Sequence, residues 1–168
     1  MGASNVGKSS LLNALWGRQG LAHTSKKPGK TSELNFFRVD DHFYCVDLPG
    51  YGYAVASAKK RALWAKMVPT YLENREALVH VFLLVDGRHP VKPGDLEALK
   101  WLEHLDVPFT LVLTKSDKAG QQGCQAQGEA WRALVGKAVS IVPFSIKQGV
   151  AIKALRQHVA RALIGSTS

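Results

Sequence analysis

Gly2-Ala3-Ser4-Asn5-Val6-Gly7-Lys8-Ser9 stands one residue after the methionine that opens this 168-residue chain, and its spacing, G-x-x-x-x-G-K-S, decides what the rest must supply. A loop of this pattern turns successive backbone N–H groups onto phosphate oxygens at the start of a helix. Lys8 then reaches the β- and γ-phosphates, and the Ser9 hydroxyl sits on Mg²⁺. The required helix follows, because Leu11, Leu12 and Leu15 recur at helical spacing across residues 8–16. The β-strand that should precede the loop has no residues to make it, so the first central strand is expected to be missing.

Working outward, residues 17–30 turn polar and basic and read as a loop. Residues 34–39 and 43–46 read as two strands of an antiparallel hairpin around Asp40-Asp41-His42. Residues 58–75 form a long helical pattern bent or interrupted near Pro69. The continuous apolar runs at 78–85 and 108–113 read as strands buried on both faces, and 95–104 as a helix between them. Residues 121–137 read as loop and weak helix, with Cys124 in a Gly/Gln-rich loop. A short strand at 141–144 and an amphipathic helix at 150–164, striped by Ala151, Leu155, Val159 and Leu163, close the chain. Alternating buried strands and helices predict an α/β fold, a mostly parallel sheet with one antiparallel hairpin strand between two helical layers. One domain over residues 1–168 is expected.

The 22 basic and 13 acidic residues give a net charge of +9, which suits a polyanionic partner, nucleic acid or an anionic membrane surface, and equally serves solubility. Two cysteines make no disulfide framework, which points to a reducing cytoplasm. No stretch of about 20 apolar residues predicts membrane insertion.

Three further signals fall in chain order. Asp47-Leu48-Pro49-Gly50 closes the second hairpin strand, where Asp47 can hold Mg²⁺ through water and the Gly50 N–H can meet the γ-phosphate. Thr31 lies in the preceding loop, where its hydroxyl completes Mg²⁺ coordination when GTP is bound, making residues 24–34 an order–disorder switch. Thr114-Lys115-Ser116-Asp117 ends a buried strand, and Asp117 can accept from both the N1–H and the exocyclic amine of guanine. Adenine offers no such donor pair. Each signal alone has an ordinary structural reading as a turn or strand exit, but the ordered set makes a guanine-nucleotide site.

These residues lead to a family. The chain closely resembles the EngB (YihA/YsxC) GTPases of bacteria, within the translation-factor-related class of Ras-like P-loop NTPases. Pro28-Gly29-Lys30-Thr31, continuing through Ser32 and Glu33 to Leu34-Asn35-Phe36-Phe37, is similar to that family's first switch. Asp47-Leu48-Pro49-Gly50-Tyr51-Gly52-Tyr53 is similar to its second, and Asp86-Gly87-Arg88-His89-Pro90 to its D-x-R-H segment. The resemblance implies a GTPase, acting as a monomer, that assists assembly of the large ribosomal subunit from its precursor, with rRNA as partner and a link to septation. It also implies that Gly29 to Glu33 line the nucleotide, and that a backbone N–H of Phe144-Ser145-Ile146 meets the guanine oxygen. Four departures stand out: the absent segment before the loop, on the order of five residues; Ala3 and Lys30, each where the family has Arg; and a loop at 144–147 one residue short.

Phosphoryl transfer asks for positioning and charge stabilisation, which Lys8, Thr31 and Gly50 supply. Tyr51 stands where Ras-like enzymes place a water-orienting glutamine, so intrinsic hydrolysis is expected to be slow. By the same resemblance Asn5 is a K⁺ ligand, or else it stabilises the loop's turn. Lys59-Lys60-Arg61 suits either an rRNA contact or a solvated helix face. The competing readings are a truncated, non-catalytic nucleotide-binding fragment, or a GTPase of the same class acting on tRNA or rRNA.

Overall fold

Leu83, Leu84 and Val85 are all buried, yet they serve different cores, Leu83 and Val85 on one side of a sheet and Leu84 on the other. A strand's period of two does this, and it requires both faces to be covered. The computed structural model describes residues 1–17, 33–51 and 58–165. Helix α1 (Lys8–Trp16) follows the first loop, and β1 (Asn35–Val39) and β2 (Phe43–Asp47) pair as an antiparallel hairpin. Then come α2 (Ala58–Asn74), β3 (Val81–Asp86), α3 (Pro93–His104), β4 (Phe109–Thr114), α4 (Ser116–Leu134), β5 (Ser140–Pro143) and α5 (Gly149–Ile164).

Strands β3, β4 and β5 run parallel in that order, with Leu83 opposite Leu111 and Val112 opposite Val142. Leu99 and Leu102 of α3 and Trp131 of α4 share one core with Leu83, Val85, Leu111 and Leu113. Leu11 and Leu15 of α1 and Leu155 of α5 share the other with Leu84, Val112 and Val142. This is the α/β, three-layered arrangement that the alternation of runs predicts. Among the described residues no helix is long and apolar enough to cross a membrane.

The hairpin turns at Asp40 (φ 47°) and Asp41 (φ 58°), both left-handed, with the His42 N–H donating to Val39 O at 3.0 Å. Two central residues at positive φ match the twist of the flanking strands, and aspartate tolerates that region better than most residues.

No named strand precedes α1 among the described residues, yet the first residues tie β3 to the segment that follows β2. Met1 N donates to Phe82 O at 2.7 Å and Met1 O accepts from Leu84 N at 2.8 Å. Gly2 and Ala3 form single parallel bridges to Leu84 and Tyr51 respectively. Ser4 N donates to Tyr51 O at 2.9 Å, and Tyr51 N donates to Gly2 O at 3.3 Å. Where the first central strand is expected to be missing, these residues make isolated bridges rather than a named strand.

One stretch departs from the pattern-based reading. Residues 121–134 are not loop and weak helix but part of α4, which carries Cys124 and is kinked at Gly120 (φ 69°, ψ 167°). The buried Trp131 anchors a segment whose glycines and glutamines conceal its period. Helix α2 runs through Pro69 as one assigned element. Far from its own sequence, α1 finds a C-terminal cap: Arg156 Nε donates to Leu15 O at 2.7 Å, supplying the cation its last turn lacks.

Candidate nucleotide site

The loop enters α1 through Gly7, whose φ of 112° is left-handed and which brings no side-chain cap. Glycine suits that backbone conformation, and the first-turn N–H groups of α1 are left to face outward from the helix. Such an end attracts anions through both its donors and the helix dipole. Val6 is buried beneath the loop, and Ser9 sits in the first turn of α1.

Lys8 Nζ donates to Gly2 O and Ala3 O, each at 3.3 Å. Burial pulls the Lys8 ammonium below its ordinary value, with the Asp47 charge opposing. Asp47 ends β2 and is buried; burial raises its carboxyl above the usual range, and Lys8 opposes that shift in turn. Leu48 packs in the core, and Pro49 and Gly50 are buried beside it. A Cβ on Gly50 would lie 2.7 Å from Lys8 Nζ and 2.9 Å from Ser4 N, so only glycine permits this approach.

Tyr51 does not turn its ring toward the phosphate side. Its hydroxyl donates to Asp95 Oδ1 of α3 at 2.8 Å, and burial followed by the Asp95 charge pushes the phenol far above its ordinary value.

The third segment is stapled to the first. Thr114 Oγ1, with one proton to give, lies 2.7 Å from Val6 O and 3.0 Å from Val85 O, so its hydrogen bond is shared between the two carbonyls. Lys115 Nζ donates to Asn5 O at 2.8 Å and to Asp86 Oδ2 at 2.8 Å. Lys115 itself is left-handed (φ 58°), as is Asn5 (φ 60°), a conformation asparagine tolerates and which supplies a structural reason for its presence. Asp117, in the first turn of α4, accepts from Ser145 Oγ at 2.8 Å, while Lys147 Nζ stands 3.7 Å from its other oxygen. Phe144 and Ser145 are buried, and Ile146 is exposed. Ser116 N donates to Phe144 O at 3.2 Å, joining the two segments.

The structure therefore brings Gly2 through Val6, Lys8, Gly50 and Thr114 together, with Asp47 close enough to Lys8 for their charges to interact and Asp117 joined to residues 144–146. Glu33 is exposed, and among the described residues no hydrogen bond or ion pair joins it to this group. Gly29, Lys30, Thr31 and Ser32 lie outside the described residues, as do Gly52, Tyr53 and the side chains of Lys59, Lys60, Arg61 and Trp64. For Mg²⁺, Ser9 and Asp47 offer a hydroxyl and a carboxylate, hard oxygen donors of the kind that ion takes, so the residues present fit it.

Asp86 and Arg88 have a role here that sequence reasoning did not assign. Arg88 Nε and Nη2 grip Asp86 at 2.9 and 2.7 Å, while Lys115 shares Oδ2. Burial works against the Asp86 charge, but hydrogen bonds from Arg88 and Lys115 outweigh it and hold the carboxyl far below the ordinary range. The signal for them is the Asp86-Gly87-Arg88 at the end of β3, read from the sequence only as part of a family-like D-x-R-H segment.

A family model described as "50S ribosome-binding GTPase" matches residues 1–115. The chain is similar to a probable GTP-binding protein EngB of Thermotoga maritima, 46% identical over 165 residues, 97% of this chain and 84% of that protein. It is also similar to the protein of the same description from Chlorobium luteolum, 42% identical over 167 residues, 99% of this chain and 81% of that one. A crystal structure of a probable GTP-binding protein engB shares the fold, with a TM-score of 0.79 at 23% identity, covering 98% of this chain and 96% of that one.

Replacing Asp86 with Asn removes the charge that holds Lys115 and Arg88. A carboxyl held low in the folded chain contributes stability above its unfolded value near about 4, and loses it as pH falls below that. The stability gap between wild type and Asp86→Asn in denaturant titrations is therefore expected to be wide at pH 7 and to narrow between about pH 4 and pH 2. A gap that stays constant across that interval would show that Asp86 carries no such pairing.

Proposed function

The chain belongs to the EngB family of GTP-binding proteins, and from that membership we propose that it is a slow, Mg²⁺-dependent GTPase. In this proposal it acts as a monomeric G domain over residues 1–168, in the cytoplasm, on the large ribosomal subunit precursor and its rRNA, with a link to septum formation. The observation that carries the nucleotide reading is the staple at Thr114 and Lys115. Two side chains of the base-reading segment hold two consecutive carbonyls of the phosphate loop, Asn5 O and Val6 O. A phosphate loop and a carboxylate at Asp117, fixed relative to one another, are what recognition of a guanosine phosphate needs.

In this reading the loop N–H groups from Gly2 to Ser9 and the Lys8 ammonium take the phosphate charge, and the Gly50 N–H meets the γ-phosphate. Leu48 and Pro49 carry Gly50 to the loop; Ser9 and Thr31 would hold the cation, and Asp47 would do so through water. When bound, Mg²⁺ neutralises charge on the β- and γ-oxygens. Asp117 accepts from guanine, with Ser145 holding the carboxylate, Ser116 and Phe144 fixing the surrounding backbone, and Ile146 offering its N–H. Gly29, Lys30, Ser32 and Glu33 complete the same nucleotide lining. The slow rate is supported by Tyr51, whose hydroxyl is engaged by Asp95 and is not available to orient water. The ribosomal partner is supported by the matching family description and by a charge of +9, which favours a polyphosphate backbone. Reduced Cys45 and Cys124 support a reducing compartment.

Three measurements follow. Fluorescent GDP with Mg²⁺ is expected to bind saturably, to be displaced by GTP and not by ATP, and to lose affinity at least about tenfold in Asp117→Ala, one charge-assisted hydrogen bond being worth about 1.5–3 kcal/mol. Absence of binding to the wild-type chain would overturn the nucleotide reading. Turnover in K⁺ is expected to exceed that in Na⁺ at matched ionic strength, and equal rates would remove Asn5 as a cation ligand. Co-sedimentation with large ribosomal subunits should be stronger with a non-hydrolysable GTP analogue than with GDP and weaken as salt rises; no nucleotide dependence would sink the switch on that partner.

A further inference from the structure

Hydrogen bonds converge on the carboxylate of Asp86 at the end of β3. Oδ1 accepts from the Arg88 backbone N–H at 3.1 Å and from Arg88 Nε at 2.9 Å. Oδ2 accepts from Arg88 Nη2 at 2.7 Å and from Lys115 Nζ at 2.8 Å. An ionised carboxylate offers about four acceptor positions, so the chain's own donors fill this one. The two side-chain bonds from Arg88 are the parallel fork that a guanidinium makes, which fixes the plane of the carboxylate as well as its charge.

Lys115 has a second acceptor, Asn5 O at 2.8 Å, and its backbone is left-handed, with Asp117 two residues further on. A side-chain-bearing residue keeps that conformation where its surroundings hold it there. The Gly87 N–H adds to the hold, donating to Thr114 O at 2.9 Å and so fixing the turn after β3 against the residue before Lys115. Among the described residues the Arg88 side chain bonds only to Asp86, and it is 34% exposed. Arg88 is therefore neither a core residue nor part of the phosphate loop, and its influence on either passes through Asp86 and Lys115.

We propose that Arg88 is a positioning residue for nucleotide retention: by fixing the Asp86 carboxylate it holds Lys115 on the Asn5 carbonyl, and so keeps the turn that carries Asp117 in register with the phosphate loop. This rests on the nucleotide reading above. Without the fork, the carboxylate still attracts Lys115 but is free to rotate away from it. The turn and the loop then part more often, and a nucleotide held at both ends is released sooner. Encounter with the open site does not depend on this register, so the effect falls on the dissociation rate.

The test measures the release rate of fluorescent GDP, with Mg²⁺, from the full chain and its variants. Arg88→Ala is expected to release GDP about threefold to tenfold faster than wild type, the range for residues coupled through a shared partner. Arg88→Gln, which lacks the charged fork, is expected to behave alike. Arg88→Lys is expected to recover less than about half of the logarithmic change, because one ammonium cannot make the fork. In a Lys115→Met background, which removes the ammonium and keeps the stem, Arg88→Ala is expected to add less than about twofold. That dependence on Lys115 is what a general loosening of the fold would not produce, and denaturant titration of each variant reports that it is folded. Wild-type release from Arg88→Ala and Arg88→Gln overturns the proposal, as does full rescue by lysine or an equal acceleration with and without the Lys115 ammonium. Failure of the wild-type chain to bind GDP overturns the nucleotide reading itself, and the proposal with it.

Discussion

Backbone hydrogen bonds made by Met1 to Ser4 join the parallel sheet, at Phe82 and Leu84, to Tyr51 in the segment that follows β2. Each bond is worth only about 0.5–1.5 kcal/mol net, but a buried N–H or C=O left without a partner costs about 1–3 kcal/mol. Through them the phosphate loop starts from a fixed register, with Gly2 beside Leu84 on one side and Ala3 beside Tyr51 on the other. That register places Gly50 against Ser4 and Lys8, and Val6 under the loop within the α1–α5 core. Loss of the bridge would leave α1 oriented by side-chain packing and by the hydrogen bonds from Thr114, Lys115 and Arg156.

Charge follows the same economy of placement. Asp47 and Asp86 both end strands, yet their environments drive their carboxyls in opposite directions. Asp86 is gripped by Arg88 and Lys115, so its charge is favoured despite burial. Asp47 is more deeply buried, and its chief influence is desolvation, relieved in part by Lys8. The first is a structural anchor with its partners already in place. The second is a carboxylate whose ionised form would gain from further positive charge, which is what a group near a cation and a triphosphate experiences.

Much of this was legible in the chain, for reasons that differ by element. Phosphate geometry fixes the spacing from Gly2 to Ser9, and burial on both faces makes β3 and β4 continuous apolar runs; such features survive as local patterns. Helix α4 was not legible because Gly120, Gly123 and Gly128 suppress the local helical signal, and the segment owes its conformation to Trp131 packing in a core assembled from elsewhere. The part played by Lys115 was hidden for another reason. Its two acceptors, Asn5 and Asp86, lie 110 and 29 residues away along the chain, so only the folded sheet brings them together. In the same way the left-handed backbone at Lys115 leaves no trace in residue type.

The staple also bears on how the base is selected. A carboxylate offers about four acceptor positions; Ser145 Oγ takes one on Asp117, and Lys147 stays at 3.7 Å, beyond a hydrogen bond. Asp117 therefore keeps acceptor capacity for the two adjacent donors of guanine while its orientation is already set. A base without those donors would desolvate the carboxylate and return nothing, and such one-sided losses discriminate more strongly than poor fit does. Because Lys115 and Thr114 hold the phosphate loop from the strand end that leads into Asp117, a base that fails to seat there cannot be accommodated by sliding the phosphates to suit it. On the proposed nucleotide reading, selectivity for the base and grip on the phosphates would in this way be properties of one connection rather than of two independent subsites.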